Sequence, residues 1–214
     1  MAKSEPKLLF TADQHWGSES IIRLCKRPFS SVDQQDEEMI YRWNSVVEKH
    51  DTVYHIGDMF GDIDIKRALA IRSQLNGGIN LLLGNHDEKK SGGIAEQIPQ
   101  AFGWMKDRYC LNLKKPQKLF IVLDHYSGRV WKRSFHGSWQ LYGHSHGNLP
   151  DDPMLLQFDV GVDCWDFTPI TLQQVIDRMT EKIRYRATLS PWPCDLHHAH
   201  KSHDEAVTCI EKRL

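Results

Sequence analysis

At five places in this 214-residue chain an apolar, strand-like run ends and metal-ligand side chains follow. Leu8-Leu9-Phe10-Thr11-Ala12 precedes Asp13 and His15, and Val53-Tyr54-His55-Ile56-Gly57 precedes Asp58. The run from Ile79 to Gly84 precedes Asn85, His86 and Asp87. Leu119 to Asp124 precedes His125, and Trp139 to Gly143 precedes His144 and His146. In open α/β sheets, ligands collect at the carboxyl ends of strands, so neighbouring strands would bring these residues to one place. Imidazoles, carboxylates and an amide carbonyl, with no thiolate among them, suit manganese, iron, zinc or cobalt better than calcium. The set is large enough to hold two such ions.

The elements that must position these residues alternate through the first half. The pattern predicts a strand over 7–12, a short helix over Ser18–Lys26 ending before Pro28, and a longer helix from Val32 to Glu48. Met39, Ile40, Trp43, Val46 and Val47 form one apolar stripe along that longer helix. A strand over 52–56, a helix over Ile63–Gln74 and a strand over 79–83 complete two βαβ-like units, with Asn76-Gly77-Gly78 closing the helix. In the second half, runs at 108–113 and 118–123 flank Lys114-Lys115-Pro116-Gln117 and predict a hairpin. Further strands are expected at 131–135, 138–142 and 155–160, then a helix over Thr171–Arg184. A βαβ half joined to a meander half predicts an α/β fold with two packed sheets and helices outside.

Bulk composition narrows the classes. A hydrophobic fraction of 40% is ample for one core in a chain of this length. The net charge of −1 speaks against a protein that binds nucleic acid mainly by neutralising phosphates. The five cysteines (Cys25, Cys110, Cys164, Cys194 and Cys209) are an odd, scattered set without a Cys-x-x-Cys pair. They fit neither a disulfide framework nor a zinc ribbon, and read as thiols in a reducing compartment. The amino-terminal residues lack the apolar stretch of a signal peptide, and no segment reaches about 18 uninterrupted apolar residues. The expectation is a soluble, cytoplasmic protein without a membrane partner.

Taken together and in order, Asp13-x-His15, Gly57-Asp58, Gly84-Asn85-His86-Asp87, His125 and Gly143-His144-x-His146 resemble the motif series of the calcineurin-like metallophosphoesterase superfamily. Ile21-Ile22 through Arg27-Pro28-Phe29, the Trp43-Asn44 helix and Phe158-Asp159-Val160-Gly161-Val162-Asp163 further resemble its compact bacterial and phage branch. The resemblance spans roughly residues 7–175. Two departures are Ser18, where related sequences often have histidine after glycine, and Ser127, where proline often follows His-Tyr. The resemblance implies a four-layer α/β/β/α sandwich holding two divalent transition-metal ions (Mn2+, Fe2+/Fe3+, Zn2+ or Co2+). One ion would be held by Asp13, His15 and His146, the other by Asn85, His125 and His144, with the Asp58 carboxylate bridging both. It implies hydrolysis of a phosphomonoester or phosphodiester, possible substrates including nucleotides, by attack of metal-bound hydroxide on phosphorus. His86 would hydrogen-bond the phosphoryl group or protonate the leaving oxygen, with Asp87 orienting its ring.

Other residues carry two readings. His55 lies inside a strand run and reads as a packed histidine; Asp62 and Asp64 read as loop and helix N-cap. Asp124 is either a partner of His125 or a strand-end carboxylate. His136, in His136-Gly137-Ser138, is a candidate on the substrate side of the centre. Arg129, with Lys132 and Arg133, is a candidate phosphate clamp or a solvated basic loop. His197, His198, His200 and His203 crowd into a carboxyl-terminal extension assigned to 188–214, beyond a metallophosphoesterase domain over 1–187. Their spacing is not that of a structural zinc module. Two alternatives to the phosphoesterase keep the fold: a small nuclease acting on DNA or RNA, and a non-catalytic protein-binding scaffold. Every ligand block is intact, which speaks against the scaffold.

Overall fold

The structure, a computed structural model, describes residues 5–87, 93–115 and 117–189. Its first half contains β1 (Leu8–Thr11), α1 (Glu19–Leu24), α2 (Val32–Val46), β2 (Thr52–Ile56), α3 (Ile65–Gln74) and β3 (Gly78–Leu82). The second contains α4 (Ile94–Gln97), β4 (Met105–Lys106), β5 (Arg108–Leu113), β6 (Leu119–Asp124), β7 (Trp139–Tyr142), β8 (Gln157–Asp159), β9 (Ile170–Thr171) and α5 (Leu172–Leu189). They form an α/β fold with two mixed sheets, ordered β4-β3-β2-β1-β9 and β5-β6-β7-β8. In the first, β1 to β4 are parallel and β9 is an antiparallel edge.

Alternation along the strands divides the apolar side chains between two cores. Leu9, Val53, Ile79 and Leu81 pack with Met39 and Trp43 of α2 and Ala68 and Ile71 of α3. Phe10, Tyr54, Ile56 and Leu82 point the other way, against Leu111, Ile121, Leu123, Leu141 and Phe158 of the second sheet. Val175 and Met179 of α5 close this second core at the β9–β1 edge. Each such side chain, fully buried, contributes about 1.5–3 kcal/mol relative to exposure. Helix starts follow local chemistry: Ser18, Ser31 and Asp64 cap α1, α2 and α3 by accepting from the amides of Ile21, Gln34 and Arg67.

The βαβ half and the 108–113/118–123 hairpin form as the sequence predicts. The meander does not. After the hairpin, β6, β7 and β8 run parallel, so each next strand is reached by a chain that returns along the sheet. Residues 131–135, expected as a strand, belong to that return: they hold a turn and the start of a 3-10 helix at Ser134–His136, with Arg133 at φ 64. Trp131 Nε1 donates to the Ser138 carbonyl and fixes the bend. Three short elements, α4, β4 and β9, have too few residues to show a period. The last helix continues through Leu189, past the expected end at Arg184, so the expected domain boundary at 187/188 falls in its final turn. The histidine cluster of the tail, with Cys194 and Cys209, lies outside the described residues. Among the described residues no helix is long and apolar enough to cross a membrane.

Candidate metal centre

Parallel strands end on the same side of a sheet, and this places the five ligand-bearing loops. β1, β2 and β3 deliver Asp13 and His15, Asp58, and Asn85 and His86; β6 and β7 deliver His125 and His144. The two sheets are joined at these ends. Val162 N donates to the Ala12 carbonyl at 3.0 Å, and the His144 amide donates to both Asp13 carboxylate oxygens at 3.0 and 2.9 Å.

Among the described residues four groups have their ligand atoms within 4.8 Å of one another: His15, Asp58 and His86; Cys25, His146 and Asp163; and two clusters of the expected ligands alone, Asp13, His15 and His146, and Asp58, His125 and His144. Asn85 joins the second, its Oδ1 lying 2.8 Å from His144 Nδ1 and 3.2 Å from His125 Nε2. Asp58 stands between the clusters. Its Oδ2 is 3.5 Å from His15 Nε2 and 3.5 Å from His125 Nε2. Two of the imidazoles use Nδ1 on a protein acceptor and leave Nε2 for the centre. His125 Nδ1 donates to the Ile56 carbonyl at 2.8 Å, and His146 Nδ1 pairs with Asp163 Oδ2 at 2.7 Å. Such outer partners fix ring orientation in metal sites. His15 Nε2 is buried and meets no hydrogen-bond partner among the described residues, as expected of a nitrogen that coordinates a cation. The donor set could therefore hold metal ions.

The backbone is bent to present these groups. Five of the nine non-glycine residues with positive φ among the described residues are Asp13, His15, Asp58, His144 and His146, at 64°, 50°, 57°, 67° and 48°. Left-handed backbone costs on the order of 1–3 kcal/mol per residue, and such strain concentrates at functional sites. Two glycines make room. A Cβ on Gly57, itself at φ 91°, would lie 2.3 Å from His125 Nδ1, and one on Gly84 would lie 2.3 Å from Asp58 Oδ1.

Burial sets the electrostatics. It pushes Asp13 up to about 7 and His15 down to about 3. Burial opposes the charged forms of Asp58 and His125 as well, but their mutual hydrogen bond and attraction outweigh it, leaving Asp58 at about 2 and His125 at about 9. His86 is exposed at the mouth; its amide donates to Asp58 Oδ1 at 2.8 Å and its ring stands edge-on to His15, centroids 4.8 Å apart.

Several expected roles change. Asp87 does not hold the His86 ring: its Oδ2 accepts from the Asp58 and Gly84 amides at 2.7 and 3.0 Å, which shapes the loop beneath the centre. Asp124 is a strand-end carboxylate paired with Arg108 and the Tyr126 amide. His136 is exposed in the turn before β7, at the opposite end of that strand from His144. Arg129 is exposed in the loop after His125, whose Gly128 amide donates to Gln140 Oε1 at 3.0 Å. His55 is packed, fully buried on the helix side of β2, as expected. Arg27 and Asp163 were missed. They are 136 residues apart, and nothing in their spacing marks them as partners.

No family model matches the chain. It is 27% identical over 190 residues to the uncharacterised protein MJ1445 of Methanocaldococcus jannaschii, covering 86% of this chain and 97% of that protein. It is also 27% identical over 187 residues to the gene 66 protein of Mycobacterium phage L5, covering 73% of this chain and 86% of the phage protein. Among solved structures, AQ665 from Aquifex aeolicus, a protein of unknown function, superposes with a TM-score of 0.60 at 19% identity, over 81% of this chain and 99% of that one. The fold is shared. An archaeal phosphodiesterase superposes with a TM-score of 0.41 at 20% identity, over 72% of this chain and 83% of that one.

Proposed function

We propose that this chain is a dinuclear-metal phosphoesterase of the calcineurin-like type, hydrolysing a phosphomonoester or phosphodiester. The observation that carries the reading is the position of Asp58. One carboxylate oxygen lies 3.5 Å from an imidazole nitrogen of each cluster, where a shared ligand of two cations belongs. Asp13, His15 and His146 would hold one ion, and Asn85, His125 and His144 the other. When bound, a pair of such ions lowers the pKa of water and stabilises charge on transferring phosphoryl oxygens.

The chain's own groups orient the substrate and move the proton. His86, exposed beside the clusters, donates to a phosphoryl oxygen or to the departing ester oxygen. Asp87 fixes the loop that carries it by binding the Gly84 and Asp58 amides.

The test is metal content and turnover of an aryl phosphate and a bis-aryl phosphodiester with manganese, for wild type, Asp58→Asn and His86→Ala. Asp58→Asn should lose bound metal and activity. His86→Ala should keep both ions and lose about 10²–10⁴-fold in rate. Undiminished turnover in both variants overturns the assignment, and single-stranded DNA in the same panel distinguishes a nuclease.

A further inference from the structure

Arg27 is buried to its guanidinium, and all five of its N–H groups are used. Nη2 donates to the Asp13 carbonyl at 2.7 Å and to Asp163 Oδ2 at 2.8 Å. Nη1 donates to the Gln14 carbonyl at 2.9 Å and to Gln35 Oε1 at 3.0 Å, and Nε donates to Asp163 Oδ1 at 2.8 Å. Asp163 Oδ2 in turn accepts from His146 Nδ1 at 2.7 Å. One guanidinium therefore grips the backbone that presents Asp13 and His15 and, through one carboxylate, the ring of His146.

Its own placement is built into the end of α1. Lys26 N donates to the Arg23 carbonyl and Arg27 N to the Ile22 carbonyl, with Lys26 left-handed at φ 52°. This double closure is a Schellman turn, made here without the usual glycine, and it turns Arg27 inward where a continuing helix would have carried it onward. Burying a guanidinium is costly unless it is fully paired, so the site has been built around it. The other cluster is more open: Asn85 and His144 are exposed there, and His125 is held by the Ile56 carbonyl at Nδ1 and by Asn85 and Asp58 at Nε2, with no arginine bonded to these ligands among the described residues.

We infer that Arg27 and Asp163 are positioning residues for one metal ion, the one held by Asp13, His15 and His146, and set its affinity without touching substrate. The inference rests on the dinuclear reading above. Losing an outer partner of a ligand typically costs roughly 10–100-fold in metal affinity. The test is calorimetric titration of the metal-free full chain with manganese, checked by elemental analysis, for wild type, Arg27→Met, Arg27→Lys and Asp163→Asn. Circular dichroism of each metal-free protein establishes that it is folded, and Asp163→Asn guards against collapse of Arg27→Met, because asparagine still offers His146 an oxygen.

The expected result is two ions bound by wild type, with one of the two affinities lowered roughly 10–100-fold in Asp163→Asn and Arg27→Met and the other unmoved. Arg27→Lys, which keeps the charge but loses the fork, should also lower that one affinity. Wild type binding two ions while the variants match it at both, or lose both in parallel, overturns this inference and leaves the phosphoesterase standing. Wild type that takes up no metal overturns both.

Discussion

The two halves of the centre are held in different ways. Asp13 and His15 are 0% and 2% exposed, and behind them and His146 stands a buried salt bridge between Arg27 and Asp163. On the other side, Asn85 and His144 face solvent and lean on each other. The enclosed half is fixed by charge, backbone carbonyls and two helices; the open half is fixed by the Ile56 carbonyl behind His125 and by Asp87, which binds the Asp58 and Gly84 amides. An ion in the first would be part of the fold, and an ion in the second would face whatever approaches from solvent. The difference shows that a symmetric-looking ligand set in the sequence need not give two equivalent sites.

Substitutions can break or sharpen this contrast. The largest effect should come from Asp58→Asn, because Asp58 serves both halves: both ions lost and hydrolysis reduced well beyond the roughly 10–100-fold of an outer partner, read by elemental analysis and turnover. Next is Gly84→Ala, whose Cβ would sit 2.3 Å from Asp58 Oδ1 and 2.6 Å from Asp58 N. Overpacking there should cost about 1–3 kcal/mol by urea denaturation and weaken the open half first.

The pH dependence of the metal-free protein comes third. His125 holds its proton to about 9 in the folded chain against 6.5 ordinarily, so it stabilises the fold fully below about 6.5 and loses that stabilisation as the pH rises towards 9. Asp13, raised to about 7, adds to the decline at the lower end of the window. Unfolding free energies from urea denaturation in chelator should fall by about 1 kcal/mol per pH unit between 6.5 and 9, and saturating manganese should flatten the slope, since metal replaces the proton. A flat profile in chelator would show that Asp58 and His125 do not form the pair described. Smallest is His136→Ala. At the far end of β7 it should shift stability by less than about 0.5 kcal/mol and leave turnover unchanged. A marked loss of rate would bring the 3-10 turn back into the site.

Legibility followed the length and regularity of each element. β1, β2, β3 and the β5–β6 hairpin showed in the sequence because apolar runs bounded by turn residues persisted for several residues. α4, β4 and β9, at four, two and two residues, could not show a period. The return at 131–135 misled because Trp131 and Phe135 supply strand-like bulk, whereas the chain there must travel back to begin a parallel strand. His136 and Arg129 were attractive for their types, yet both are exposed and His136 lies at the end of β7 away from His144. Asp87 was expected from the resemblance to orient the His86 ring, while its carboxylate turns inward to two amides.

The sequence by itself determined the inventory of candidate ligands and which strand ends carry them, because a loop must begin where its strand stops. Only the tertiary structure decided that Asp58 stands between two clusters, that Asp163 holds His146, and that Arg27 closes over both Asp13 and Asp163. Those relations join residues from 14 to 136 positions apart, with no spacing in common, and they arise from burial: a buried guanidinium must find partners for every N–H, and the packed sheets determine which partners are within reach.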